Sequence, residues 1–102
     1  MRLMVFFDLP TSSYQERHNY ANFRRFLIQD GYEMIQYSVY GRITANHDDA
    51  AKHLKRLNLN LPPQGSVRAL LITEKQYAAM KILVGKQTAS EKLLADHELI
   101  EL

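Results

Sequence analysis

Leu3 to Phe7 form an unbroken apolar run closed by Asp8 and Pro10. A short run without polar alternation predicts a strand buried on both faces, and therefore central in its sheet. Thr11-Ser12-Ser13 then supplies capping hydroxyls, and Ser13-Tyr14-Gln15-Glu16 fits the S-x-x-E capping box. The helix opened there carries Tyr20, Phe23, Phe26 and Leu27 at helical spacing and is expected to stop at Gly31. Arg17, Arg24 and Arg25 fall mostly off that stripe. Tyr32–Gln36 and Val39–Thr44 are rich in β-branched and aromatic residues and close together, which predicts a hairpin. Asn46 with Asp49 caps a second helix, whose stripe is Ala50, Leu54, Leu57 and Leu61; Lys52, Lys55 and Arg56 face elsewhere.

Pro62-Pro63-Gln64-Gly65 ends that helix in a turn. Ser66–Thr73 reads as a strand with Val67, Ala69 and Leu71 on one face and Leu70 and Ile72 on the other. Thr73-Glu74-Lys75-Gln76 is a further capping box, and Tyr77, Met80 and Val84 predict a short helix, with an extended Lys81–Val84 as the alternative. Lys86–Leu94 reads as a polar linker, and the alternation over His97–Leu102 suits an edge strand. The order β-α-β-β-α-β predicts an α+β, ferredoxin-like domain over residues 1–85, with residues 86–102 as linker and C-terminal strand. Two helices cover one sheet face, yet Leu3–Phe7 is apolar on both. An identical subunit packed on the second face is the simplest cover, so a homodimer is expected.

Composition narrows the class. The chain has 102 residues, no Cys and no Trp, one domain's length without a disulfide framework, zinc-Cys site or thiol nucleophile. It holds no apolar run of membrane-spanning length, and the N-terminal apolar stretch is too short for a signal peptide, so a cytoplasmic protein without membrane contact is expected. The net charge of +2 is small but uneven: residues 1–86 hold 12 Lys/Arg against 7 Asp/Glu, and residues 87–102 one Lys against four acids. A basic body with an acidic tail makes the body the candidate polyanion surface, although solvated faces give the same count.

Asp8 is the first candidate for chemistry, an acid emerging at the end of a central strand, where a carboxylate can hold Mg²⁺. One carboxylate is a poor Mg²⁺ site, and a twofold axis would pair two; the alternative is a turn-capping role. Arg17, Arg24 and Arg25 on one helix and Lys52, Lys55 and Arg56 on the other could follow a phosphate backbone, or be ordinary solvated residues. Tyr14, Tyr37 and Tyr40 could stack on bases or serve the core. Asp49 and His53 are four apart and could face together, but Asp49 also suits the helix N-terminus. No P-loop, no G-x-G-x-x-G and no Ser–His–Asp pattern is visible, so nucleotide-loop binding and covalent catalysis are not expected.

Phe6-Phe7-Asp8-Leu9-Pro10-Thr11, Phe26-Leu27 with Gly31-Tyr32, Gln36-Tyr37-Ser38-Val39-Tyr40, and Ser66-Val67-Arg68 with Thr73-Glu74-Lys75-Gln76 occur in register. Together they make the chain resemble the second CRISPR-associated protein family, the small endoribonuclease-type subunit of the spacer-acquisition complex. The D-x-P-T start and T-E-K-Q segment look like the variant from loci with a single large RNA-guided effector nuclease. The resemblance implies a ferredoxin-like homodimer whose C-terminal strand extends the partner's sheet. It further implies a divalent metal, Mg²⁺, held at Asp8 for phosphodiester cleavage of single-stranded RNA or duplex DNA. A scaffolding role is implied too, in which the dimer binds duplex and bridges dimers of the CRISPR integrase subunit. A stand-alone ribonuclease toxin of this fold and a regulatory module without nucleic-acid binding are the alternatives.

Overall fold

The computed structural model describes residues 1–93 of the chain. The elements run β1 (Arg2–Asp8), α1 (Tyr14–Gln29), β2 (Glu33–Gln36), β3 (Val39–Ile43), α2 (His47–Asn58), β4 (Ser66–Ile72) and α3 (Glu74–Ala78). The four strands form one antiparallel sheet in the order β2-β3-β1-β4, the ferredoxin-like arrangement, with β1 central. The capping residues act as their spacing requires. Ser13 and Glu16 close a reciprocal box at α1, Asn46 accepts from the Asp49 N–H at α2, and Thr73 and Gln76 close the box at α3.

Alternation along β1 sends Leu3, Val5 and Phe7 to the helix layer, where they pack with Phe23, Leu27, Tyr32, Tyr40 and Leu57. Phe7 is the hub. Its ring meets Phe23 edge-on at 5.2 Å, Tyr20 at 6.0 Å, and stacks on Tyr40 at 5.6 Å. Each such pair contributes about 0.5–1.5 kcal/mol beyond burial.

The second face is covered unevenly, and here the structure corrects the sequence. Met4 is buried over Gly41, where a Cβ would stand 2.8 Å from the Met4 sulfur. Arg2 is buried as well, its Nε donating to Glu74 and its guanidinium lying 3.9 Å over the Tyr77 ring. Phe6, four residues along from Arg2, is 38% exposed. The chain itself therefore covers the Arg2 end, and β1 is not buried throughout on both faces.

The cover comes from α3 and a helical turn over residues 89–93, inside the stretch expected to be a linker. Thr88 caps that turn: its N–H donates to Glu91 and its hydroxyl accepts from the Glu91 N–H. Ser90 Oγ donates to the Glu33 carboxylate at 2.8 Å, and the Tyr77 hydroxyl donates to Glu91. Helix α3 ends at Ala78, shorter than expected, and Lys81–Val84 is neither helix nor strand. The supposed stripe is not one, since Val84 is exposed while Tyr77 is buried. The edge strand expected over His97–Leu102 lies outside the described residues.

Candidate nucleic-acid and metal site at the end of β1

Asp8 is exposed at the C-terminal end of β1, opposite Ser66 in the β4 register. A shallow cleft beside it is lined by Phe6, Asp8, Ser38, Val39, Ser66 and Arg68. Two turns fix its walls. Gly65 sits at φ +95°, where a Cβ would stand 2.6 Å from the Asp8 carbonyl oxygen, so this close approach requires glycine. Between β2 and β3 the hairpin turn is Tyr37-Ser38, with Ser38 at φ +64°. A non-glycine residue there costs roughly 1–2 kcal/mol, and the Phe7 N–H holds the turn by donating to the Ser38 carbonyl at 3.0 Å.

Asp8 alone does not make a cation site. Among the described residues no three His, Cys, Asp or Glu side chains gather in a metal-binding group. Mg²⁺ is ordinarily held by one or two carboxylates together with substrate phosphates, so one copy offers the minimum and nothing in reserve. Arg68, across from Phe6 on the same face, adds positive charge to the cleft. The sequence reading did not select it. It is the one charged residue among the β4 apolar positions, but its place beside Asp8 depends on the β1–β4 register.

The six basic residues expected on the helix layer divide by their partners. Arg24 donates to the Tyr40 hydroxyl at 3.0 Å, Arg56 to Asp30 at 2.9 Å, and Arg17 to the Thr11 and Ser12 carbonyls. Lys52 pairs with Asp49, and Arg25 reaches Asn22 on its own helix. Lys55 has no ion-pair partner among the described residues, so Arg25 and Lys55 are the two least committed to the fold. Tyr40 is buried in the core, whereas Tyr14 and Tyr37 are exposed, Tyr14 stacked on His18.

Asp49 and His53 do come together, with His53 Nε2 3.4 Å from the Asp49 carboxylate, but a closer partner was missed. His53 Nδ1 lies 2.8 Å from the Asp30 carboxylate, at the end of α1; Arg56 donates to the same carboxylate at 2.9 Å, and Arg42 to the Asp30 backbone carbonyl. Burial opposes ionisation of Asp30, yet the bonds from His53 and Arg56 outweigh it and hold the carboxyl below its usual range. The Ala45 N–H, then Lys52, do the same for Asp49. Arg56 pairs with Asp30 and Lys52 with Asp49, so neither acid is left over for a metal, and this cluster ties α1 to α2 and β3.

The family model described as CRISPR associated protein Cas2 matches residues 1–80. The chain belongs to that family. It is 59% identical over 92 residues to the CRISPR-associated endoribonuclease Cas2 of Acidovorax ebreus, covering 90% of each chain. It is 43% identical to the protein of that name from Treponema denticola over the whole length of both. The crystal structure of Streptococcus pyogenes Cas2 superposes with a TM-score of 0.63 at 18% identity, over 82% of this chain and all of that one. That likeness speaks for the fold. No helix among the described residues is long and apolar enough to cross a membrane.

Proposed function

We propose that this Cas2-family chain acts in CRISPR adaptation as a cytoplasmic homodimer that binds duplex nucleic acid and bridges dimers of the integrase subunit. The observation that carries the reading is the uneven second face: closed at Arg2 by the chain itself, open at Phe6, Leu70 and Asp8. A second copy packed there buries the apolar residues and brings the two Asp8 carboxylates toward one another. The helix layers, with Arg25 and Lys55, then face outward toward phosphates. Phosphodiester cleavage is secondary in this reading. Mg²⁺ belongs to it only as an ion shared by two Asp8 carboxylates, because one chain lacks the ligands.

The test follows labelled RNA and duplex DNA with wild-type protein, Asp8→Asn and Arg25→Glu/Lys55→Glu, in Mg²⁺ or EDTA. Cleavage is expected to fall to the EDTA level in Asp8→Asn with duplex affinity retained. The charge-reversed variant is expected to lose affinity and flatten the dependence of binding on salt. Equal cleavage in all samples refutes the role of Asp8, and duplex binding that ignores salt refutes the scaffold.

A further inference from the structure

After Glu16, helix α1 carries Arg17, Arg24 and Arg25 and no further acid. Its C-terminal end meets α2, through Asp30 against His53 and Arg56. Ala21, Arg24, Arg25 and Ile28 recur at i, i+3, i+4 and i+7 and form a stripe turned the other way, toward β3, where Arg24 donates to the Tyr40 hydroxyl. Together with Tyr20 and Gln29 these four line a shallow groove on the helix layer, the layer that stays outward when a second copy packs on the opposite sheet face. Ile28 is 48% exposed in it, and Arg25 is bonded only to Asn22 of its own helix. The groove is thus apolar and basic at once. The nine residues beyond Leu93 have the matching chemistry: Asp96, Glu98 and Glu101 with no Lys or Arg, and Leu94, Leu99, Ile100 and Leu102. They are rooted close by. Ser90 bonds to Glu33, the first residue of β2, which follows the end of α1 by four residues, and Leu93 is exposed three residues later. Nine residues reach up to about 30 Å, more than the length of α1 at about 24 Å.

We infer that residues 94–102 dock in this groove, apolar side chains against Ile28 and carboxylates against Arg25, as a tethered competitor for nucleic acid on the helix layer. This rests on the duplex-binding reading above and adds its regulation. Exposed ion pairs are individually weak, so charge alone does not hold the segment. The apolar contact and the tether make the difference, since a short linker sets an effective concentration in the millimolar range, about 1 mM. A duplex displaces the segment by offering more phosphates than it has carboxylates. Lys55 on α2 lies outside the groove, so first contact with the duplex is left open while Arg25 is covered.

Fluorescence anisotropy on a blunt duplex tests this in the full-length chain, with wild type, Asp96→Asn/Glu98→Gln/Glu101→Gln, Leu99→Ser/Ile100→Ser and Ile28→Ser. The neutralised segment is expected to raise duplex affinity about tenfold at low salt. Leu99→Ser/Ile100→Ser and Ile28→Ser leave the net charge unchanged and are expected to raise it several-fold, which long-range charge does not do. Ile28 is half exposed, so its replacement spares the core. In methyl NMR without duplex, the Ile28 signal is expected to shift between wild type and both segment variants. A gain confined to the neutralised segment, or an Ile28 signal indifferent to both segment variants, overturns the docking and leaves the duplex-binding reading standing. A change in self-association in place of duplex affinity assigns the segment to a second copy and overturns it too. Absence of duplex binding from wild type and every variant alike overturns the duplex-binding reading, and the competitor role with it.

Discussion

The two ends of β1 carry the same sheet face into opposite surroundings. At the Arg2 end a buried guanidinium is enclosed by Glu74, the Tyr77 ring and, at 3.9 Å, Glu33. Ser90 and Glu91 from the turn over residues 89–93 complete that enclosure. Six residues along, Asp8 stands in an open cleft between a glycine that any side chain would strain and a serine in a left-handed turn. Charges at one end are neutralised inside the chain, and at the other they are left for something else. Interactions that hold the fold thus gather at one end of the strand, and the charges at the other end lie open.

Separating the two ends by mutation is the way to break this contrast. The largest effect on stability is expected at the Asp8 end, from its backbone and not its exposed side chains. Gly65→Ala meets the positive φ and the Asp8 carbonyl together, for a loss of about 3 kcal/mol in chemical denaturation. A loss below about 1 kcal/mol would mean that the turn is not fixed against β1. Next comes Arg2→Ala, which removes the cation from under Tyr77. Because Glu74 and Glu33 are about half exposed, about 2 kcal/mol is expected, less than for a fully buried pair. Limited proteolysis should then cut after Lys86 and Lys92 first, while intact protection there would show that the Arg2 contacts do not hold the segment.

The smallest effect is a dependence on pH confined to the Arg2 end. Burial opposes ionisation of Glu91, but the Tyr77 hydroxyl and Thr88 outweigh it and leave its pKa lowered. A lowered acid contributes stability above its ordinary value near 4.5, which is lost as pH falls through the lower native value. Tyr77 is shifted the other way, upward, by burial and then by Glu91. Its contribution is present below the ordinary tyrosine range and is lost as pH rises above about 10. NMR amide signals of Thr88 and Glu91 should therefore move as pH falls below about 4.5, with the Ser38 amide still, and the carbon-bound ring protons of Tyr77 should hold their shifts until pH exceeds about 10. Acid also weakens the junction of α1 with α2, where Asp30 and Asp49 are lowered too. Equal movement at Ser38 would show that the ends are not independent.

Local signals were legible in the sequence. The capping residues Ser13, Asn46 and Thr73, the hairpin and the central strand follow from spacing alone, and with them the element order of the fold. Asp8 was legible because an acid closing an apolar run is conspicuous. What could not be read depends on pairing between distant segments. Arg2 carries no local signal of burial, because its partner Glu74 lies 72 residues away. Arg68 joins Asp8 only through the register of β4 on β1, and Asp30 joins His53 only when α1 packs beside α2. Thr88-Ala89-Ser90-Glu91 is a local capping signal that polar composition concealed.

Self-association through the open half of the second face is the central claim, and sedimentation velocity tests it most directly. Wild-type protein at micromolar concentration is expected to sediment as a dimer, and Phe6→Glu/Leu70→Glu as a monomer with an unchanged circular dichroism spectrum. A wild-type monomer, or a dimer indifferent to both substitutions, would contradict the account.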